Sequence, residues 1–197
     1  MSKKLLALFF FLSFSVHLFG KLNGQARLDS LMSELPHAKE DTNKVILFNN
    51  ISFCYRSIDP AQGISYATRA LNLAQQLNWK KGIAGAYNSL FQNYFSKTEL
   101  DSALLYVSKS LAIYEELGIK RSIAVNLGNI ANIYESQSDF NIALEFQFKS
   151  LKIIEEINNK PLLATSMMNI GNIYLKLGNY AKQLEYYNSA LKIFEEL

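Results

Sequence analysis

Catalysis needs nucleophiles, bases or metal ligands held within reach of one another, and this chain is poor in all three. Beyond its first 24 residues it has one imidazole, His37 beside Pro36, because His17 lies inside the opening stretch. Its single thiol is Cys54. A tetrahedral zinc site takes four nitrogen or sulfur ligands, and a thiol nucleophile needs a base beside it, so neither has its parts. A lone cysteine also makes no internal disulfide, which leaves stability to packing. Cys54 stands among Ile51, Phe53 and Tyr55 and reads as a buried structural thiol. The carboxylates come as Glu115 with Glu116, Glu155 with Glu156, and Glu195 with Glu196. Neighbours on a helix do not face each other, so these pairs read as solvated helix ends. No Gly-rich phosphate loop occurs. The expectation is a non-enzymatic chain with no catalytic residue, no metal and no cofactor.

What the chain has in quantity is repetition. Shifting it by forty residues aligns Leu90, Ile130 and Ile170; Tyr94, Tyr134 and Tyr174; Leu104, Leu144 and Leu184; and Ser110, Ser150 and Ala190. The Glu pairs fall in register too, as do Lys80, Lys120 and Lys160 between units. Those lysines follow a helix end, where positive charge offsets exposed carbonyls. A weaker copy precedes, with Asn50, Ile51 and Tyr55 in its first half and Gly63, Ala70 and Leu71 in its second; its turn, residues 57–62, is one residue shorter. Fixed periods of this length mark stacked repeats. Four units result: 42–79, 80–119, 120–159 and 160–197.

Each unit must supply two helices. In the third, Leu127, Ile130, Ala131 and Tyr134 recur at i, i+3, i+4 and i+7, and Ala143, Phe146, Ser150, Ile153 and Ile154 do so after the polar break 135–139. Gly178 suits a helix C′ position, and Asp59 before Pro60 suits an N-cap followed by proline at the first helical position. An αα-hairpin cannot bury both faces alone, so the hairpins must stack. Small residues at Ala103, Ala143, Ser110 and Ser150 would let helices approach, with Tyr94, Tyr134 and Tyr174 filling the gaps between neighbours. Tyr66, Tyr106, Phe146 and Tyr186 form a second aromatic column at the packing period and read as core filling.

Both ends differ from the middle. Lys3 and Lys4 precede an apolar run from Leu5 to Phe19, and Gly20, Gly24 and Ala26 follow. That order is the layout of a secretory signal peptide, residues 1–24. The run is shorter than the roughly 20 residues that span a bilayer, so an uncleaved anchor is the lesser reading. Lys3, Lys4 and Lys21, with no acid among those 24 residues, account for the whole formal charge of +3. Nothing in the remainder would draw it to nucleic acid or anionic lipid. Residues 25–41 fit no repeat; Leu28, Leu31, Met32 and Leu35 could form a short amphipathic cap before Pro36. At the far end Leu184, Leu191, Ile193, Phe194 and Leu197 would stay uncovered, so a continuation of the chain or a pairing partner, such as a second copy, is expected.

The repeat resembles the tetratricopeptide repeat (TPR) over nearly the whole chain beyond the leader. Ile170, Gly171, Tyr174, Gly178, Asn179, Tyr180, Tyr187 and Ala190 match its signature; so do Ile130, Tyr134, Asp139, Phe140, Ala143 and Ser150, and Leu90, Tyr94, Ala103 and Ser110. Gln183, Gly63 and Phe91 depart from it. The resemblance implies an all-α fold, a right-handed α-solenoid of four hairpins whose first helices line a concave face. Carried over, that face comprises Asn49, Phe53, Arg56, Asn88, Gln92, Phe95, Val125, Asn132, Glu135, Thr165, Met168, Asn172 and Leu175. Amides both donate and accept, which suits the backbone of an extended peptide. Some TPR domains clamp a C-terminal carboxylate with basic residues, but the corresponding positions hold Ile46, Gly85, Val125 and Thr165, or Asn49, Asn88, Gly128 and Met168. A leader followed by forty-residue TPRs resembles the periplasmic sensor region of bacterial histidine kinases and regulators. The implied function is an exported module that binds a protein or peptide in the cell envelope; the alternatives are a stand-alone periplasmic scaffold, or the dimerisation arm of a receptor kinase or transcriptional regulator.

Overall fold

The computed structural model describes residues 24–197. The expected leader therefore lies outside the described residues, save Gly24. Helical residues 24–34 (α1) run into a 3₁₀ turn, Leu35–His37. Then come α2 (Thr42–Tyr55), α3 (Pro60–Gln76), α4 (Lys80–Ser96), α5 (Leu100–Glu116), α6 (Lys120–Ser136), α7 (Phe140–Glu156), α8 (Lys160–Lys176) and α9 (Tyr180–Glu195). The pairs α2–α3, α4–α5, α6–α7 and α8–α9 are antiparallel hairpins stacked in chain order. The described residues are all-α, a TPR-like solenoid.

The turns share one geometry. Asn78, Thr98, Gly118, Ser138, Asn158 and Gly178, twenty residues apart, hold φ between 50° and 72°. After each, the next N–H reaches the carbonyl five residues back, as Glu99 does to Tyr94 at 3.0 Å and Asp139 to Tyr134 at 2.8 Å. This is the Schellman closure, which satisfies carbonyls a helix end would otherwise orphan. Two of the six positions are glycine, where the conformation costs nothing. The turn between α2 and α3 has no positive φ. It closes instead through Asp59, whose carboxylate accepts from the Ala61 and Gln62 amides ahead of Pro60. From Tyr55 to Tyr66 the first unit is accordingly one residue shorter than from Tyr94 to Tyr106.

Tyr55, Tyr94, Tyr134 and Tyr174 occupy equivalent niches. They stack on Tyr66, Tyr106, Phe146 and Tyr186 with ring centroids 5.6, 5.3, 5.7 and 5.7 Å apart. Each ring lies on the second helix of its own hairpin, and Tyr94 also packs against the cluster that holds Ile130 and Ile133 of the next unit, so the column closes a hairpin and meets its neighbour as well. The small residues do bring helices close. Ser110 Oγ donates to the Ala84 carbonyl at 3.0 Å, and Ser150 Oγ to that of Ala124 at 2.8 Å. The connector lysines reach across the hairpin base: Lys120 to Glu156 at 3.0 Å, Lys160 to Glu196 at 2.9 Å, and Lys80 to Glu116. All three pairs are exposed, so solvent screening leaves each a small contribution.

Leu28 of α1 is buried with Leu47, Ile51 and Cys54, and Leu31, Met32 and Leu35 pack around them. The amphipathic segment thus covers the outer edge of the first hairpin. At the opposite edge α9 leaves Leu184 62% and Leu191 54% exposed. Among the described residues no helix is long and apolar enough to cross a membrane.

Candidate functional site

The first helices α2, α4 and α6 line an open groove of about 430 Å³ bounded by Arg56, Asn88, Phe91, Gln92, Phe95, Ser96, Val125, Asn129 and Asn132. Side chains four apart on one helix meet side chains of the next, so the polar groups form a ladder. Arg56 Nη1 donates to Gln92 Oε1 at 3.3 Å, and Gln92 Nε2 to Asn88 Oδ1 at 2.8 Å. Asn88 Nδ2 continues to Asn126 Oδ1 at 3.4 Å, and Asn126 Nδ2 ends on the Ser122 carbonyl at 2.8 Å. A parallel rung joins Ser89 Oγ to Asn49 Oδ1 at 2.9 Å. The ladder holds the amide heads in fixed directions while leaving free valences toward the groove. Arg56 lies over the Phe53 ring, 4.6 Å from its centroid, and makes no ion pair among the described residues.

A second recess of about 430 Å³ shares Phe95 and Asn132 with the first and adds Glu135, Ser136, Ser138, Phe140 and Lys176. The two form one strip from a cation at Arg56 to a mixed-charge end at Glu135 and Lys176. Burial pushes the Glu135 carboxyl above its ordinary range, and Lys176 partly opposes that.

Most of the expected residues meet here: Arg56, Asn88, Gln92, Phe95, Val125, Asn132 and Glu135 line the strip, and Asn49 and Phe53 support it. The fourth unit contributes Lys176, but its expected residues do not join the strip. Asn172 accepts a hydrogen bond from the Tyr187 hydroxyl and is occupied in holding that ring. Met168 faces an apolar recess of about 300 Å³ with Tyr187, Ala190, Leu191 and Phe194. Leu175 is exposed and Thr165 borders a further cavity between α6, α7 and α8. Sequence reasoning missed Asn129, Gln147, Ser166 and Lys176. Asn129 was findable, since it recurs with Asn50 and Asn169; Gln147 lies on a second helix, where core was expected.

Cys54 is buried, and burial raises its thiol above the ordinary value, with Arg27 acting weakly the other way. Among the described residues no three His, Cys, Asp or Glu side chains converge.

Residues 122–196 match the family described as tetratricopeptide repeat. Residues 122–196 carry tetratricopeptide repeats. No curated protein matches the sequence. Among solved structures it is similar to aspartyl phosphate phosphatase F from Bacillus subtilis, at 20% identity and a TM-score of 0.77 over 88% of this chain and 49% of that one. It is similar to a Rap protein complexed with Competence and Sporulation Factor, at 19% identity and a TM-score of 0.80 over 92% and 52%. A third is the Rap conjugation gene regulator of plasmid pLS20 in complex with the Phr* peptide, at 14% identity and a TM-score of 0.76 over 91% and 51%. The chain thus spans about half the length of these proteins, and the likeness is one of fold.

Proposed function

We propose that this chain is an exported TPR interaction module that binds an extended peptide or protein segment in its concave strip, as the sensor or scaffold part of an envelope signalling protein. The observation that carries the reading is the ladder from Arg56 through Gln92 and Asn88 to Asn126, set beside Phe95 and Asn132. Fixed amides suit backbone groups of a strand-like ligand, the exposed Phe53 and half-buried Phe95 suit its apolar side chains, and Arg56 suits an acid. Two similar structures hold Competence and Sporulation Factor and the Phr* peptide, which supports a peptide partner. Export rests on the order of residues 1–24. No direct membrane contact by the repeats and no nucleic-acid partner form part of the reading. Selection of random linear peptides on the full chain tests it: enriched peptides should bind at least about tenfold more weakly to Gln92→Ala, and loss of binding only through loss of folding would overturn it. The mass of the mature N-terminus from an expressing cell tests export, with cleavage expected between Gly20 and Ala26.

A second reading of the partner rests on α9. Leu104 and Leu144 are half-buried where following helices cover α5 and α7, whereas their counterpart Leu184 is exposed beside the Leu191 and Phe194 recess. A second copy of the chain meeting that face would give a homodimer. Sedimentation would show it, and Leu191→Glu would return a monomer.

A further inference from the structure

The three seams between hairpins are built from equivalent positions, yet one of them is open. At the seam between the second hairpin and α6, Asn88, Val107 and Asn126 stand where the next seam has Gly128, Gln147 and Ser166. In the earlier seam Val107 is buried and the two asparagines fill the space and bond to each other and to the Ser122 carbonyl. In the later seam the side chain at residue 128 is gone: a Cβ added there would meet nothing nearer than Ser150 Oγ at 3.8 Å. The result is a cavity of about 160 Å³ opening on the concave face between α6, α7 and α8.

Two buried polar groups line that cavity without a partner. Gln147 is 1% exposed and its Nε2 donates to no protein atom; Ser166 is 4% exposed and its Oγ likewise has none. The other hairpins have Ala67, Val107 and Tyr187 where Gln147 stands, so an amide on this core face is particular to the third hairpin. An orphaned buried donor costs more than an apolar side chain of the same shape would. A ligand group able to satisfy both therefore gains discrimination there.

We propose that this cavity is a specificity subsite for a side-chain carboxamide, an Asn or Gln of the bound peptide; the proposal rests on the reading of the concave strip as a peptide groove. A carboxamide both donates and accepts, so it pairs with the Gln147 head group in either orientation of that amide and leaves a valence for Ser166 Oγ. A carboxylate fits worse, because no Lys or Arg lines the cavity and burial would leave its charge unpaired. An aliphatic side chain would fill the space but strand both donors. The mouth is edged by Asn129, Asn132 and Asn169, and Asn129 and Asn132 also belong to the main groove. A peptide lying along the strip thus passes directly over the opening.

The test is selection of random linear nonapeptides on the full chain, on Gln147→Leu and on Gln92→Ala, with affinities then measured for single peptides. Peptides enriched on the unaltered chain should share an Asn or Gln at one position, and Leu there should weaken binding about tenfold or more, the scale expected for a stranded donor. On Gln147→Leu that preference should vanish or invert, while Gln92→Ala should weaken amide and aliphatic peptides alike. Ser166→Ala carries the same test with a smaller change should Gln147→Leu fail to fold by circular dichroism. Enriched peptides without an amide preference, or a preference that survives both substitutions, overturn the subsite and leave the groove standing. No enrichment on any version overturns the groove and the subsite together.

Discussion

The seam beneath α6 and the seam beneath α8 show how far a repeat can drift without losing its fold. In the first, Asn88 and Asn126 are bridged into a rung that is both packing and polar scaffold. In the second, Gly128 and Ser166 withdraw that bulk, and Gln147 brings an amide to a place where its counterparts Ala67, Val107 and Tyr187 have none. Neither change disturbs the backbone: the turns at Ser138 and Asn158 keep the same positive φ as those at Thr98 and Gly118. Stacked hairpins contact only their neighbours, so a cavity at one seam leaves the others intact. Local stability is spent at one joint, and the solenoid tolerates it.

Four substitutions would break or sharpen that contrast. The largest effect is expected at Gly171, where an added Cβ would lie 2.6 Å from the Tyr187 ring. Gly171→Ala should lower unfolding free energy by about 1–2 kcal/mol, the overpacking cost less the helix-propensity gain, with urea midpoints as the measure and Tyr187→Val as the rescue. Next come the serines that tie the two helices of a hairpin. Ser110→Ala should cost about 0.5–1.5 kcal/mol for its bond to the Ala84 carbonyl. Ser150→Ala should cost less, because Ser150 borders the open cavity; equal losses would mean that the cavity leaves Ser150 as tightly held as Ser110. Gly128→Ala should act opposite to Gly171→Ala, raising stability by about 0.5–1 kcal/mol, since it removes a mid-helix glycine into free space; a decrease in thermal midpoint would contradict the cavity.

The smallest effect is electrostatic and depends on pH. Burial raises the Glu135 carboxyl above the ordinary carboxylate range, so its ionised form is held at a cost in the folded chain. That cost is absent below the ordinary carboxylate range and grows as pH rises through the folded value. Glu135→Gln should therefore raise the thermal midpoint slightly at pH 7 and leave it unchanged at pH 3. A gain that persists at low pH would assign the effect to packing instead.

Much of this architecture was legible in order. The hairpins were readable because apolar residues recur at helical spacing and because Asp59, Pro60 and Gly178 announce their turn chemistry. Leu28, Leu31 and Leu35 were readable as a cover for the same reason. The strip from Arg56 to Asn132 followed from the family resemblance. Its extension into the fourth unit did not: Asn172 is held by Tyr187, a contact fifteen residues away that no period predicts. The tyrosine columns were visible, but which rings they stack on was not, because a spacing of eleven or twelve residues fits a partner in the same hairpin or the next until the rings are placed.

By itself the sequence determined where the helices start and stop, and that they come in pairs which cannot stand alone, since these follow from local sterics and the periodicity of apolar residues. Only the tertiary structure decided which amides bridge and which are stranded. Asn88 and Gln147 each bring an amide to a seam, but only Asn88 has its NH2 group bonded. What separates them is whether a side chain from the next hairpin arrives to meet them, and that depends on distances between helices rather than on order along any one of them.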